Sequence, residues 1–292
     1  MTEEKLLGER IKKNTVLSCL IIFGLLILVH GLEAIVVRTD ETVLGENCIN
    51  KIFGIIIVFI VLDLLKWKPI DIGFTKEKIR RSIGIGLAMG LASFIIAYSI
   101  EIIVLRSYGY TVSFGIFTTG FSLTGESEIH KGIGFILMCI FFNIINVVME
   151  EGTFRGLFDK ILLTDHSMKF ALLFQALLFG VWHIVTPLHN LIDGDINFAS
   201  FLGLGIGYII LAGMMGIKWG LLYRMTGSLY AGMADHFFNN CIATNLLHVI
   251  TEGGVDDLMI VRVVIAQLLS FAAVFMIWKK CGYKKTCDSS LI

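Results

Sequence analysis

Residues 133–162 read IGFILMCIFFNIINVVMEEGTFRGLFDKIL, an apolar run that passes with no proline into two glutamates and an arginine. About 20 apolar residues suffice to cross the hydrocarbon core of a bilayer as a helix. Ionisable side chains are costly at that depth, so Glu150, Glu151 and Arg155 either sit at the surface or serve a function. If the helix stops at Met149, both glutamates are interfacial. If it runs on to Leu162, Glu150 lies roughly 18 Å in from that end, at ~1.5 Å per residue. Glu151 and Arg155 are four residues apart, on one face, and can pair. Glu150 points about 100° away from Glu151 and continues a polar stripe with Asn143 and Asn146. Such a stripe should face a bundle interior or a water-filled cavity.

The rest of the chain is of the same kind. Of its 292 residues 56% are hydrophobic and 16% charged, where a soluble domain averages about 25% charged. Mean hydropathy is +0.82, and 24 basic residues balance 24 acidic ones. These values exclude an ordinary cytosolic enzyme, a disordered chain and a basic nucleic-acid binder. Eight segments qualify as membrane-spanning: 16–37, 52–65, 82–105, 133–162, 168–188, 199–217, 228–250 and 259–278. The second is short and carries Asp63. The first is too long for the apolar core of a signal peptide and reads as an uncleaved span. Lysines and arginines alternate between the intervening segments, 19 on one side and 4 on the other, with Arg262 inside the last span. The positive-inside rule then puts both termini in the cytoplasm. The expected fold is an all-α polytopic transmembrane bundle of about eight spans. Residues 1–130 form three N-terminal spans, 131–250 a core, and 251–292 a last span with a basic cytoplasmic tail.

Glycines point to close helix packing, with Gly86 and Gly90 as one pair and Gly203, Gly205, Gly207, Gly213 and Gly216 in the sixth span. The six cysteines, Cys19, Cys48, Cys139, Cys241, Cys281 and Cys287, contain no CxxC pair, and the tail CDSSLI is not a prenylation box. The acidic loops 189–197 and 251–257 read as solvated. Glu33, Asp63 and Glu101 lie near span ends, where interfacial water suffices. His30, His130, His166, His189 and His248 read as structural or solvated.

Two further polar clusters lie inside apolar runs. One holds His183 in FGVWH; the other is DHFFNN, with His236 and Asn240 four apart on one face and Asp235 and Asn239 on the next. His183 lies roughly 22 Å and His236 roughly 12 Å from the same membrane face as Glu150, at the helical rise. A carboxylate, two imidazoles and an amide sheltered from lipid suit peptide hydrolysis. The carboxylate acts as general base on water, and N–H groups receive the oxyanion. The same residues could instead hold zinc through Glu150, His183 and His236. There is no HExxH motif, and no serine pairs with a His–Asp set. Buried Glu and His also suit a small-solute transporter, whose sign would be an inverted repeat; none is found.

The sets Glu150-Glu151-x-x-x-Arg155, Phe179-x-x-x-His183 and His236-x-x-x-Asn240, with TGSLYAGMADHFFNN around the third, resemble the three motifs of the CPBP family. That family holds the type II CAAX prenyl endopeptidases and the bacterial Abi or bacteriocin-immunity proteins. The resemblance runs from about Lys131 to Leu247. It implies a helical membrane bundle with a conical cavity open to the cytosol and a peptide or lipidated protein tail as substrate; no nucleic-acid partner is expected. It implies that Glu150 activates water, that His183 assists with that water, and that His236 and Asn240 stabilise the oxyanion. Glu151 and Arg155 then shape the site. A metal-free glutamate mechanism is the favoured reading, and a bacterial plasma membrane the expected location. The rival class is a non-catalytic immunity or peptide-binding membrane protein.

Overall fold

The apolar segments fold largely as helices in the computed structural model, which describes residues 3–41, 47–118 and 129–285. The chain runs α1 (Glu3–Lys13), α2 (Thr15–Leu32), α3 (Ile49–Leu65), α4 (Ile79–Ser107), β1 (Ser113–Ile116), α5 (Ile133–Glu150) and α6 (Asp159–Leu162). It continues with α7 (Met168–Trp182), α8 (Val185–Asp193), α9 (Phe198–Thr226), α10 (Tyr230–Phe237), β2 (Leu247–Ile250) and α11 (Met259–Lys285). The basic tail beyond Lys285, with Cys287, lies outside the described residues.

Six stretches are long and apolar enough to cross a membrane: Thr15–Val37, Lys76–Ser107, Ile133–Leu162, Met168–Asp193, Phe198–Thr226 and Met259–Lys280. They mark an integral membrane protein, with six such spans where the sequence suggested about eight. The two others are helices too short for the task. α3 has 17 residues, and the helix that begins at Tyr230 gives way after Thr244. Beyond it Leu247–Ile250 is a strand, not helix, paired antiparallel with Ser113–Ile116. The molecule is otherwise all-α, as expected, and this small two-stranded pairing sits where the sequence reading had placed the end of a span.

The distribution of side chains is that of a protein in lipid. Ile21, Leu28, Phe59, Ile103, Leu137 and Ile210 are exposed, while Glu151, Arg155 and Lys218 are 0% exposed. In water an apolar surface that extensive would drive association. Local signals set the ends of helices. Ser167 caps α7 by accepting from the Phe170 N–H at 3.3 Å, and Asn197 caps α9 by accepting from the Ser200 N–H at 2.9 Å. α9 stops at Gly227, whose φ of +65° a glycine takes without strain.

Glycine packing is real but selective. A Cβ on Gly86 would overlap the Ala231 carbonyl oxygen, and one on Gly90 would meet Phe238, so both admit the helix that carries His236. In α9 a Cβ on Gly216 would lie 3.0 Å from Ala176 Cα and one on Gly220 2.5 Å from Leu172 Cδ1, whereas on Gly203 and Gly207 it would meet nothing within 4 Å. Gly86→Ala is therefore expected to destabilise the protein by about 1–3 kcal/mol, because backbone cannot move aside. Gly203→Ala should change little. Denaturation midpoints in detergent measure both, and equal midpoints would show that α4 and α10 can separate freely.

Two acidic residues assigned to water, Glu33 and Glu101, are buried instead, and a third, Asp256, is partly buried. Glu33 accepts from the backbone N–H groups of Ile49 and Asn50 at 2.7 and 2.6 Å and from Asn50 Nδ2 at 2.7 Å, with Thr39 as a further donor. It caps α3, where the helix dipole favours an anion. Glu101 accepts from Arg262 at 2.8 Å. Asp256, in the loop before α11, receives Arg262 at 3.0 Å, His248 Nδ1 at 2.6 Å and the Val249 N–H at 2.9 Å. His248 Nε2 faces the Phe117 carbonyl at 3.0 Å, so this histidine is structural, as expected.

Burial alone would raise the Asp256 carboxyl, but the His248 hydrogen bond, the Arg262 charge and the Val249 N–H hold it below the usual carboxylate range. Its stabilisation is thus complete above about pH 4, the unfolded value, and is lost as pH falls through the lower folded value. Asp256→Asn should lower the thermal midpoint at neutral pH and flatten its decline below about pH 4. An unaltered acid limb would assign that limb to another carboxylate.

Candidate active site

The helix that starts at Ile133 does not stop at Met149. It continues as a π-helix over Glu151–Phe158 and then through α6 to Leu162. Another π segment, Phe238–Thr244, follows α10, and a third, Glu33–Val37, follows α2. The first two fall on the polar clusters, as π turns often do at functional sites. Nothing in residue spacing announced them.

These turns bring Glu150, Glu151, His236 and Asn240 together. His236 Nε2 lies 3.5 Å from Glu150 Oε2, and His236 Nδ1 lies 3.1 Å from Glu151 Oε1. Asn240 Nδ2 is 3.1 Å from His236 Nε2. The His236 ring stacks on Trp219 with centroids 4.0 Å apart. Glu150 Oε1 accepts from Trp182 Nε1 at 3.1 Å, and the Trp182 ring packs on His30. Glu150 Oε2 has no hydrogen-bond partner among the described residues, so this oxygen is available to a water.

Arg155 lies 3.4 Å from Glu151 Oε2, a charge contact without the geometry of a hydrogen bond. Its guanidinium instead lies over the Phe179 ring at 3.8 Å and near Trp219 at 5.0 Å. The expected Glu151–Arg155 pair thus exists, held as much by aromatic faces as by the carboxylate. Phe179 also lies edge-on to both His183, at 4.6 Å, and His236, at 6.2 Å. His183 is at the C-terminal end of α7, with Nδ1 2.8 Å from the Phe179 carbonyl oxygen. That carbonyl only accepts, so Nδ1 donates, and a neutral ring leaves Nε2 as an acceptor.

Glu150, His183 and His236 do not form a three-ligand set. No group of three or more His, Cys, Asp or Glu side chains that could hold a metal ion occurs among the described residues. The donor geometry therefore does not fit the zinc alternative.

Residues 132–242 match the family described as type II CAAX prenyl endopeptidase Rce1-like. The chain carries an Rce1-like domain. No curated protein and no solved structure matches the chain. The Rce1-like domain contains all three clusters, from Glu150 to Asn240, and the two π segments on them except the last residues past 242. The matched family is one of endopeptidases, enzymes that act on peptides, and the spans imply a bilayer around the domain.

Several residues around the site escaped sequence reasoning. Lys218 was assigned to a loop after a span ending at 217. It lies wholly buried within α9, which runs to Thr226, 2.6 Å from Asp235 Oδ2. Trp219 Nε1 donates to the same oxygen at 2.7 Å. Gln267, outside the Rce1-like domain, reaches in from α11. A lysine flanked by apolar residues on both sides was the one available signal. An apolar cavity of about 220 Å³ adjoins the domain between α3 and α5, lined by Ile55, Val58, Phe74, Met149, Gly152 and Tyr230 among others. Met149 and Gly152, which flank Glu150 and Glu151 in the chain, line it, but Glu150, Glu151, Arg155, His183, His236 and Asn240 do not.

Proposed function

We propose that this protein is an intramembrane endopeptidase in which Glu150 activates a water molecule to cleave a peptide bond of a membrane-associated or lipidated substrate. The meeting of Glu150 with His236 in a setting of aromatic rings carries this reading. Glu150 Oε2 takes a proton from water as the water oxygen bonds to the substrate carbonyl carbon. His183 Nε2 accepts the water's other hydrogen bond. Negative charge collects on the carbonyl oxygen, and Asn240 Nδ2 keeps one hydrogen to donate to it. His236 adds a donor only when Nε2 also carries a proton. Glu150 then passes its proton to the departing nitrogen as the carbon–nitrogen bond breaks, and a carboxylic acid and an amine result.

The apolar cavity beside Met149 suits a lipid tail or apolar side chain of the substrate. The lysine and arginine asymmetry supports termini in the cytoplasm, with the site opening on that side. An inventory of peptides in cells that carry either the natural protein or Glu150→Gln tests the proposal. Intact precursors should accumulate with the variant. Identical inventories, with the biological effect retained, would favour the immunity or peptide-binding reading.

A further inference from the structure

A line of polar side chains connects a buried ammonium to the imidazole at the site, and its hydrogen-bond polarity is fixed at both ends. Lys218, in α9, carries an ammonium that can only donate. It donates to Gln267 Oε1 at 2.5 Å and to Ser270 Oγ at 3.0 Å, both on α11. With its oxygen so engaged, Gln267 turns its Nε2 to Asn239 Oδ1 at 2.8 Å. Asn239 Nδ2 in turn donates to Asn240 Oδ1 at 2.7 Å. That leaves Asn240 Nδ2 facing His236 Nε2 at 3.1 Å. An amide nitrogen only donates, so His236 Nε2 must accept. The ring proton is then on Nδ1, where the Glu151 carboxylate, an acceptor only, stands 3.1 Å away. Turning any one amide over would set donor against donor, beginning with Gln267 Nε2 against the ammonium, in a region where an unmet polar group is expensive.

We propose that Lys218 is a positioning residue which, through Gln267, Asn239 and Asn240, holds His236 as its Nδ1–H tautomer, with the Nε2 lone pair taken by Asn240. The tautomer follows from the donor–acceptor chain alone. Its consequence rests on the proposed proteolysis: Asn240, not resting His236, offers the first N–H to the oxyanion, because His236 Nε2 carries no proton to donate.

The relay can be reversed with almost no change of shape. In Gln267→Glu both side-chain oxygens accept, so Asn239 must turn its Nδ2 toward residue 267. Asn240 must then donate to Asn239 Oδ1 and present its own oxygen to His236, which needs a proton on Nε2. Nitrogen NMR of the full-length protein with ¹⁵N-histidine, in lipid nanodiscs, reads this directly, and loss of signals in His236→Asn assigns the ring. The natural protein should show a protonated Nδ1 and an unprotonated Nε2. Gln267→Glu should move the Nε2 resonance to the protonated range, and Ser270→Ala should leave it in place. Should Gln267→Glu not fold, Asn239→Asp imposes the same reversal. A natural protein with Nε2 already protonated overturns the proposal, as does a reversed relay with an unmoved Nε2 signal. The readout needs no turnover, so it stands or falls separately from proteolysis.

Discussion

Glu150→Gln is expected to reduce peptide-bond hydrolysis by about 10²–10⁴-fold while leaving the protein folded and abundant. An amide cannot take a proton from water, which removes the base. The same amide can still accept from Trp182 Nε1 through its oxygen, at a position now 3.1 Å away, so the helix keeps that hydrogen bond. Little else holds Glu150, since Oε2 has no hydrogen-bond partner among the described residues. Single-turnover cleavage of a substrate found in the peptide inventory measures the first part, and a thermal midpoint the second. A variant that cleaves at the natural rate would move the base elsewhere, with Glu151 as the nearest candidate.

The second large effect is on stability. Arg155→Met should destabilise the protein by about 3–5 kcal/mol, because it leaves the buried Glu151 carboxylate beside no cation of its own. Glu151→Gln should cost about as much through the stranded guanidinium. The double variant should recover part of the loss, since two neutral groups of similar volume need no counter-charge. Some loss will remain, because Arg155 also covers the Phe179 and Trp219 rings and Glu151 also accepts from His236. Denaturation midpoints of the two single variants and the double variant form a thermodynamic cycle. Strict additivity would show that the 3.4 Å contact carries no coupling, and unchanged single variants would show that the charges are reached by water.

How much of this was legible in residues alone depended on periodicity and depth. The Glu151–Arg155 pair was readable because four-residue spacing survives the π-helix that carries it. Glu150 does approach His236, as the convergence of the polar clusters led one to expect. His183 meets Phe179 in the fold rather than forming a ligand set with the other two. The span count differs at α3 and α10 because both helices are short: α3 has 17 residues, and the helix from Tyr230 gives way after Thr244. Hydropathy registers an apolar run without fixing where its helix ends. Glu33, Glu101 and Asp256 were misjudged because each is satisfied by partners from another part of the chain, and local spacing carries no record of such partners.

The sequence by itself determined the solvent and the chemistry. So apolar a chain, broken by so few ionisable groups, must meet lipid outward and gather those groups inward, since hydrocarbon offers a charge nothing to bind. Only the tertiary structure decided which donor faces which acceptor. The π turns that swing Glu150 and Asn240 into reach, and the lysine that sets the direction of an amide chain ending on His236, depend on α9, α10 and α11 meeting. Hydrogen bonds reach about 3 Å and have a direction. A pattern along one helix cannot specify where the next helix will put its atoms.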